Sequence, residues 1–461
     1  MLGGSKLDTL QIVIYTLPQA LPEKMTLSAN QFGIFNFKKH FDISYGYFLI
    51  QKKILRFGLP SNLITLTKRY YWTAGDDIII KLSKPREGHQ GQIGNYNIAF
   101  SGKGAYKYQL MNKADNILKN SDNNHVTGFN QLQSIEGRKK AIKYLNGSRG
   151  KITERDLSVL KADVQFEGAI GNFHDVAKRY IDTLAKNPNL KIADYLSKFK
   201  EFEGKYIGQI SPKGLSRSFE FIRYALYEAE TECFIMHPEQ NLPGWAGSSI
   251  ALDSVITTAK AKYSGEVLDN IIINSFFFYL RKLGGQSEIE KALSIISNKR
   301  KKQLLAKLLA RQIKGTAAYN FNLPDTAGVY HSLSSLKGKV VYQDFYFYGC
   351  GGCAWLYQNV LKEVEEYYRD NPNVVFVSIG CDSNLDRVKS SVRDGKYNSS
   401  LSLNLYTDGQ GFSHPLIEYY NIDSYPEVLL IDKIGQIAQF NTGDLMSKAG
   451  LIDQINQLLR K

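Results

Sequence analysis

Two cysteines three residues apart, Cys350 and Cys353, constrain the fold of this chain more than any other feature. Residues 340–347, just before them, are apolar and aromatic and predict a strand. Residues 354–368, just after them, carry apolar side chains at helical spacing. The pair therefore lies where a strand gives way to a helix. Only four cysteines occur in 461 residues, too few for a fold held together by disulfides.

The position of the pair has chemical consequences. A cysteine at the amino terminus of a helix faces unpaired backbone N–H groups and the positive end of the helix dipole. Both stabilise a thiolate, so we expect Cys350 to have a lowered pKa and to be the attacking sulfur. Cys353 lies one turn further along, close enough to bond Cys350 and release a mixed disulfide. The spacing thus indicates thiol–disulfide exchange.

Two other interpretations of the pair are open. A zinc site would need a second Cys or His pair, whereas Cys233 and Cys381 are single and distant and the seven histidines lack metal-ligand spacing. A purely structural disulfide would constrain the unfolded chain only weakly, because the loop it closes is very small. We expect no metal site, and we expect Cys233 and Cys381 to be core residues.

Strands and helices begin to alternate near residue 315 and continue to do so to the end of the chain. Near-continuous apolar runs at residues 374–379 and 428–431 predict buried strands, and residues 448–459 predict a closing amphipathic helix. We therefore expect an α/β domain with a central mixed sheet over residues 315–461.

The rest of the chain divides into a strand-rich part and a helical part. Aromatic and β-branched segments separated by turn-forming residues predict an all-β, sandwich-like domain over residues 1–103. The predicted strands are residues 10–15, 31–37, 47–57, 77–82 and 96–100. Helical patterns predict an all-α domain over residues 104–314. Its most apolar stretch, residues 267–283, is too short and too polar to span a bilayer and predicts a buried helix.

The chain is basic, with 58 Lys and Arg against 44 Asp and Glu and a net charge of +14. The densest basic run, residues 299–302, could hold an anionic partner such as nucleic acid. Leucines supply an apolar stripe opposite the charges, and no aromatic residues interleave with them for base stacking. We interpret the run as a solvated helix face and expect no nucleic-acid partner.

The surroundings of the cysteine pair resemble the thioredoxin superfamily, in particular the TlpA-like thiol–disulfide oxidoreductases of the bacterial envelope. The resemblance covers about residues 317–461. Residues 321–325 and 333–341 look like the opening hairpin of that family, and residues 420–428 are similar to its segment around a cis-proline. This resemblance implies a thioredoxin-like fold for the α/β domain.

The sequence departs from the family's pattern at two glycines. Gly349 stands where a tryptophan commonly precedes the first cysteine, and Gly352 stands where a proline is usual. Both changes are expected to loosen the loop and to remove an aromatic lid. They affect the expected redox potential and not the class of reaction.

The resemblance implies roles for four residues. The Cys350 thiolate attacks a disulfide in a partner protein, and Cys353 resolves the mixed disulfide. Asp344 stands six residues before Cys350, as does the buried acid of thioredoxin. We interpret it as a buried proton acceptor and not as a solvent-facing strand acid. Pro426 should be cis and lie against the pair, since a cis X–Pro bond marks a required tight geometry.

The resemblance also implies how substrate binds and where the protein acts. The Tyr425 backbone should present an edge to the substrate chain, with Gly351 and Gly352 beside it. The implied partners are disulfide-containing proteins and an upstream thiol donor, with this protein acting as a reductant and using no bound cofactor. The implied location is the periplasm or cell envelope, with a membrane tether through a leader that the sequence given does not contain.

Two alternatives to the exchange reaction stay open. The size of the part outside the thioredoxin-like region favours a binding or scaffold protein of the cell envelope whose cysteine pair is vestigial. A thiol peroxidase is disfavoured, because Phe347 and not a threonine lies three residues before Cys350.

Overall fold

The structure is a computed structural model that describes part of the chain. The described residues are 9–16, 22–32, 34–41, 43–54, 62–83, 97–120, 135–167, 186, 210–236, 252–279, 286–420, 422 and 425–460. They separate into two compact units. The first unit comprises the described residues of 1–54, 63–277 and 296–298, and the second those of 55–62, 278–295 and 299–461.

The strands before residue 104 form a five-stranded sheet and a separate hairpin. The strands are β1 (Thr9–Tyr15), β2 (Glu23–Ser28), β3 (Tyr45–Ile54), β4 (Asn62–Thr65), β5 (Tyr70–Thr73), β6 (Asp77–Ser83) and β7 (Asn97–Lys103). The sheet has the order β2-β1-β3-β4, with β5 also paired to β3, and β6 pairs with β7. The pairs β1–β2, β1–β3, β3–β5 and β6–β7 are antiparallel.

Helices follow from residue 105. They are α1 (Ala105–Asn120), α2 (Ile135–Asn146), α3 (Glu154–Phe166), α4 (Pro212–Arg217), α5 (Phe219–Met236), α6 (Leu252–Lys262), α7 (Gly265–Tyr279), α8 (Gln286–Ile295) and α9 (Lys299–Leu309). Thr153 caps α3, its side chain accepting a hydrogen bond from the N–H of Asp156 at 3.0 Å. One hydrophobic core contains side chains from β1, β3 and β5 and from α1 to α3.

The predicted strand-rich part and helical part are both confirmed, with one wrong strand. Residues 31–37 carry alternating aromatic side chains but form no strand in the residues described there. Asn30 accepts hydrogen bonds from the N–H groups of Phe32 and Ile34, which turns the backbone. Phe32 is 75% exposed, so the aromatic pattern does not face a core. The domain boundaries at residues 103 and 314 stay predictions.

The second unit contains a mixed five-stranded sheet. Its strands are β8 (Asn322–Pro324), β9 (Tyr330–Ser332), β10 (Val340–Tyr346), β11 (Val374–Gly380), β12 (Leu403–Tyr406), β13 (Glu427–Ile431) and β14 (Ile437–Phe440). The sheet order is β12-β11-β10-β13-β14, and β8 and β9 form a separate hairpin. Strands β10, β11 and β12 run parallel to one another. Strand β13 runs antiparallel to both of its neighbours, β10 and β14. The predicted α/β fold with a mixed sheet is confirmed.

Helices cover this sheet on both faces. They are α10 (Gly351–Leu356), α11 (Lys362–Tyr367), α12 (Leu385–Asp394), α13 (Pro415–Tyr420) and α14 (Lys448–Leu459). A π-helical turn, Tyr357–Leu361, joins α10 to α11. Successive side chains of β10 point to opposite faces of the sheet. Val341 and Phe345 enter the core that contains α13, whereas Val340 and Tyr342 enter the core that contains α10, α11 and α14.

In the part of the chain that the structure describes, no helix is long and apolar enough to cross a membrane. The apolar stretch around residue 270 instead lies in α7, where Ile271, Ile272 and Ile273 are buried. In the basic run, Lys299 and Arg300 are exposed, but Lys301 is buried. The interpretation of this run as a solvated face is therefore wrong for Lys301.

Candidate active site

Cys350 and Cys353 form a disulfide at the start of α10. Cys350 is the N-cap of the helix, and its Sγ accepts a hydrogen bond from the N–H of Cys353 at 3.1 Å. The two Cα atoms are 5.3 Å apart, within the usual range for a disulfide. Both cysteines are buried, whereas Gly351 and Gly352 between them are exposed. The expected helix N-terminal position of Cys350 is therefore present.

Pro426 lies beside the loop of the disulfide. The Tyr425–Pro426 peptide bond is cis, as the family resemblance implies. A Cβ atom placed on Gly352 would lie 3.1 Å from Cδ of Pro426 and 3.6 Å from the carbonyl oxygen of Tyr425. The segment around the cis bond thus contacts the exposed part of the redox loop. Asp423 and Ser424, just before it, lie outside the described residues.

Asp344 is buried in the middle of β10. By the alternation of that strand, it shares a face with Tyr342 and Tyr346, the face covered by α10. Burial raises the pKa of the Asp344 carboxyl to about 8. The hydroxyl of Ser378 opposes this rise by donating a hydrogen bond at 2.7 Å, whereas the charge of Glu365 raises the pKa further. A group with this pKa can both accept and donate a proton near neutral pH.

The loop before Cys350 is held by an ion pair that the sequence did not indicate. Asp382 accepts a hydrogen bond from the N–H of Tyr348 at 2.7 Å and another from Nε of Arg387 at 2.8 Å. Arg387 in turn donates to the carbonyl oxygen of Tyr348 at 2.6 Å and lies 5.3 Å from the centre of its ring. Both backbone polar groups of Tyr348 are therefore bound by side chains.

A tyrosine from a distant loop holds the next residue. The hydroxyl of Tyr397 accepts a hydrogen bond from the N–H of Gly349 at 2.9 Å, and its ring stacks on Tyr346 at 5.7 Å and 12°. Gly349 has a φ of +100°, which favours glycine. The glycine in place of the usual tryptophan was expected to loosen the loop. In the structure, the N–H groups of Gly349 and Tyr348 donate hydrogen bonds to Tyr397 and Asp382, which hold the loop.

Aromatic rings surround the cis-proline segment. Phe347, Phe412 and Tyr425 contact one another with centroid distances between 5.3 and 5.8 Å. Phe412 is 37% exposed, and Trp355, two residues after Cys353, is 60% exposed. The disulfide thus lies beside partly exposed apolar surface, with Gly349 where the family commonly has a tryptophan.

Cys233 and Cys381 are buried and form no disulfide. Burial raises the pKa of the Cys233 thiol to about 11, and it raises that of Cys381 still further. Neither thiol is poised to react as a thiolate at neutral pH. Among the described residues, no group of three or more His, Cys, Asp or Glu side chains could hold a metal ion.

Comparison with known proteins agrees with this geometry. Residues 338–437 match the family model described as Thioredoxin-like. The thiol–disulfide oxidoreductase ResA of Geobacillus kaustophilus is 29% identical over 133 residues, which are 28% of this chain and 70% of the relative. ResA of Bacillus subtilis is 26% identical over 147 residues, 31% of this chain and 74% of the relative. The chain contains a TlpA-like domain of the thioredoxin superfamily.

The TlpA-like domain is a thiol–disulfide oxidoreductase domain. It is also similar to the solution structure of a thiol:disulfide interchange protein from a Bacteroides species, with 22% identity, a TM-score of 0.27, and coverage of 33% of this chain and 93% of that one. The sequence located its cysteines, its buried acid and its cis-proline. The sequence-based prediction missed Asp382. This acid directly follows a parallel strand, and ligand sites of α/β sheets form at the carboxyl ends of such strands.

Proposed function

We propose that the protein reduces disulfides in partner proteins through its TlpA-like domain. The observation that carries this proposal is the disulfide between Cys350 and Cys353, with Cys350 as the cap of a helix. In the reduced form, the Cys350 thiolate would attack one sulfur of the partner's disulfide. This forms a mixed disulfide and releases the partner's other sulfur as a thiolate. The helix N-terminus stabilises the attacking thiolate.

The second half of the reaction returns the protein to the disulfide form. Cys353 loses its proton and attacks Sγ of Cys350, which forms the intramolecular disulfide and releases the partner's remaining thiolate. The partner gains two electrons, and the Cys350–Cys353 dithiol loses them. The role we propose for Asp344 is to accept the Cys353 proton, because its raised pKa lies close to that of a thiol. An upstream thiol donor must then reduce the pair again.

Buried acids near the pair support the reducing direction. A pair becomes strongly oxidising when its reduced, thiolate form is stabilised, as by nearby cations. Here the face of β10 under α10 carries Asp344, and the buried Glu365 raises its pKa further. When Asp344 ionises, its negative charge on this face would disfavour a thiolate in the pair and so favour the disulfide over the dithiol. This is the behaviour of a reductant.

The proposed substrate contact is the exposed edge of the loop. Gly351 and Gly352 are exposed, and the Tyr425 carbonyl oxygen would lie 3.6 Å from a Cβ atom placed on Gly352. A substrate chain could pair with the Tyr425 backbone while its disulfide meets Sγ of Cys350. We place the protein in the periplasm or cell envelope on the strength of its TlpA-like domain. Its presence in the cytosolic fraction alone of its native host would contradict that location.

Trapping the mixed disulfide tests the proposed function. In the Cys353→Ser variant, Cys350 can attack a partner but nothing can resolve the adduct. We expect a reducible covalent complex on a non-reducing gel, and no turnover of a protein disulfide. Cys350→Ser should form no complex, and Cys381→Ser should keep full turnover because its thiol is buried outside the pair. Turnover by Cys350→Ser would contradict the proposal and support a vestigial pair.

A further inference from the structure

A row of three polar side chains crosses the sheet of the second unit. In the register of the strands, Asp344 of β10 lies opposite Ser378 of β11, which in turn lies opposite Asn404 of β12. Residues opposite one another on neighbouring strands point to the same face of a sheet. Ser378 is fully buried and donates a hydrogen bond to Oδ1 of Asp344 at 2.7 Å. This polar row extends from Asp344 to β12, the edge strand of the sheet.

A second buried acid, Glu365 of α11, is bound at the far end of the polar row. Its carboxylate oxygens accept hydrogen bonds from the hydroxyl of Ser399 at 2.6 Å and from the hydroxyl of Ser402. The Asn404 amide donates to the backbone carbonyl oxygens of the same two serines, at 2.7 Å and 3.0 Å. The segment just before β12 therefore joins Glu365 to the polar row.

Glu365 has hydroxyl donors but no basic partner in the part of the chain that the structure describes. Its side chain is buried at 2% exposure. Burial raises its pKa, and the groups that oppose this rise are the hydroxyls of Ser399 and Ser402. Two hydroxyls stabilise the ionised form of Glu365, whereas one stabilises that of Asp344. We expect Glu365 to be the first of the two acids to ionise as the pH rises.

The two acids lie within electrostatic range of each other. Burial is the main cause of the raised pKa of Asp344, and the charge of Glu365 raises that pKa further. Burial also raises the pKa of Tyr357, and the charges of both acids add to that rise. Tyr357 begins the π-helical turn between α10 and α11, and such turns are frequent at functional sites. An ionised Glu365 therefore holds the proton on Asp344.

We propose that Glu365 is a positioning residue for the exchange reaction, whose charge, held beside the polar row by Ser399 and Ser402, tunes proton transfer from Cys353 to Asp344. This inference rests on the proposed function. In the resolving step, the proton moves from Sγ of Cys353 to the Asp344 carboxylate, and Glu365 gains no proton. Without the charge of Glu365, Asp344 would ionise at a lower pH and could accept the Cys353 proton there.

Stopped-flow reaction of the reduced full chain with the aromatic disulfide dithiobis(nitrobenzoate) tests this role without a partner protein. Attack by Cys350 releases one coloured thiolate, and attack by Cys353 on the mixed disulfide releases the second. The rate of the second release should rise as Asp344 ionises, with a midpoint near pH 8. Glu365→Gln should lower this midpoint by on the order of one pH unit. Glu366→Gln, the exposed neighbour on α11, should not move it.

The other titratable groups beside the two acids stay neutral near pH 8, because burial raises the pKa of each of them. They are Tyr342, Tyr346, Tyr357 and Cys381. Asp382, whose charge also acts on Tyr346, is paired with Arg387 at 2.8 Å. A change of rate near pH 8 therefore reports on the two acids or on Cys353 itself. The Asp344→Asn background separates these causes, because Glu365→Gln should have no further effect on the pH profile there.

Two serine variants keep the proposal testable if Glu365→Gln does not fold. Ser402→Ala should lower the midpoint by less than Glu365→Gln does, because Glu365 loses one of the donors that keep it ionised. Ser378→Ala should move the midpoint upward, because Asp344 loses the donor that stabilises its own ionised form. A change of stability alone would not move the midpoint in opposite directions.

An unchanged midpoint in a folded Glu365→Gln variant would overturn the proposal. A shift of equal size in Glu366→Gln, or the same shift in the Asp344→Asn background, would overturn it as well. Failure of the proposed function would look different. In that case the unsubstituted chain would release both thiolates from the small disulfide, yet Cys353→Ser would trap no partner protein.

Discussion

At the scale of single residues, the ionisation of Asp344 links stability to the proposed proton transfer. Burial raises its pKa from 3.8 to about 8, so the folded state holds this proton more tightly than the unfolded state. Its contribution to stability is complete below pH 3.8 and is lost as the pH rises to 8. The loss amounts to about 1.4 kcal/mol per pH unit at most within that window.

The Asp344→Asn variant should separate the effect of this carboxyl on stability from its proposed role in proton transfer. We expect the variant to be more stable than the unsubstituted chain at pH 8, and the difference to shrink as the pH falls towards 4, because asparagine does not titrate. Resolution of the mixed disulfide should slow by at least about tenfold, since the proton acceptor is lost. Denaturant unfolding at several pH values and single-turnover kinetics would measure both. A variant with unchanged resolution kinetics would contradict the proton-transfer role.

At the scale of elements, the first turn of α10 offers a matched pair of glycines. A Cβ on Gly351 would meet nothing within 4 Å, whereas one on Gly352 would lie 3.1 Å from Pro426. Gly351→Ala should therefore slow turnover less than Gly352→Ala does, and it should stabilise the helix by about 0.5 kcal/mol or more. Gly352→Ala should slow turnover severalfold, because the new methyl group crowds Pro426, where substrate is proposed to pass.

Turnover assays and thermal unfolding of both variants would check this difference. Equal turnover in the two variants would place the substrate chain away from Pro426. Faster turnover in Gly352→Ala would contradict the proposed path of the substrate altogether.

The same elements show what the sequence could and could not predict. Strand β11 and helix α14 were predicted closely, because buried parallel strands and amphipathic helices leave strong local patterns. Strand β2 was missed, since Glu23–Ser28 is mostly polar and half-exposed. The side chains that bind the loop before Cys350 were missed for another reason. Asp382, Arg387 and Tyr397 meet it only after the chain has folded, so no local pattern reveals the contact.

At the scale of the whole molecule, each of the two units has its own hydrophobic core, and the candidate active site lies in the second. The thioredoxin-like part was predicted as a whole because its motifs occur in a fixed order along the chain. The first unit has no such motif, and only its strands and helices were predicted. The polar row that links Asp344 to Glu365 in the second unit forms through the pairing of three strands, so it could not be inferred from the sequence.

The reduction potential of the Cys350–Cys353 pair in the full chain tests the central claim most directly. It can be measured by equilibrating the protein with thiol–disulfide buffers and following the fraction of disulfide. A reductant of partner disulfides should have a potential near that of thioredoxin, about −270 mV, because buried acids disfavour the thiolate form. A potential near about −120 mV would identify an oxidant and contradict the proposed direction of electron flow.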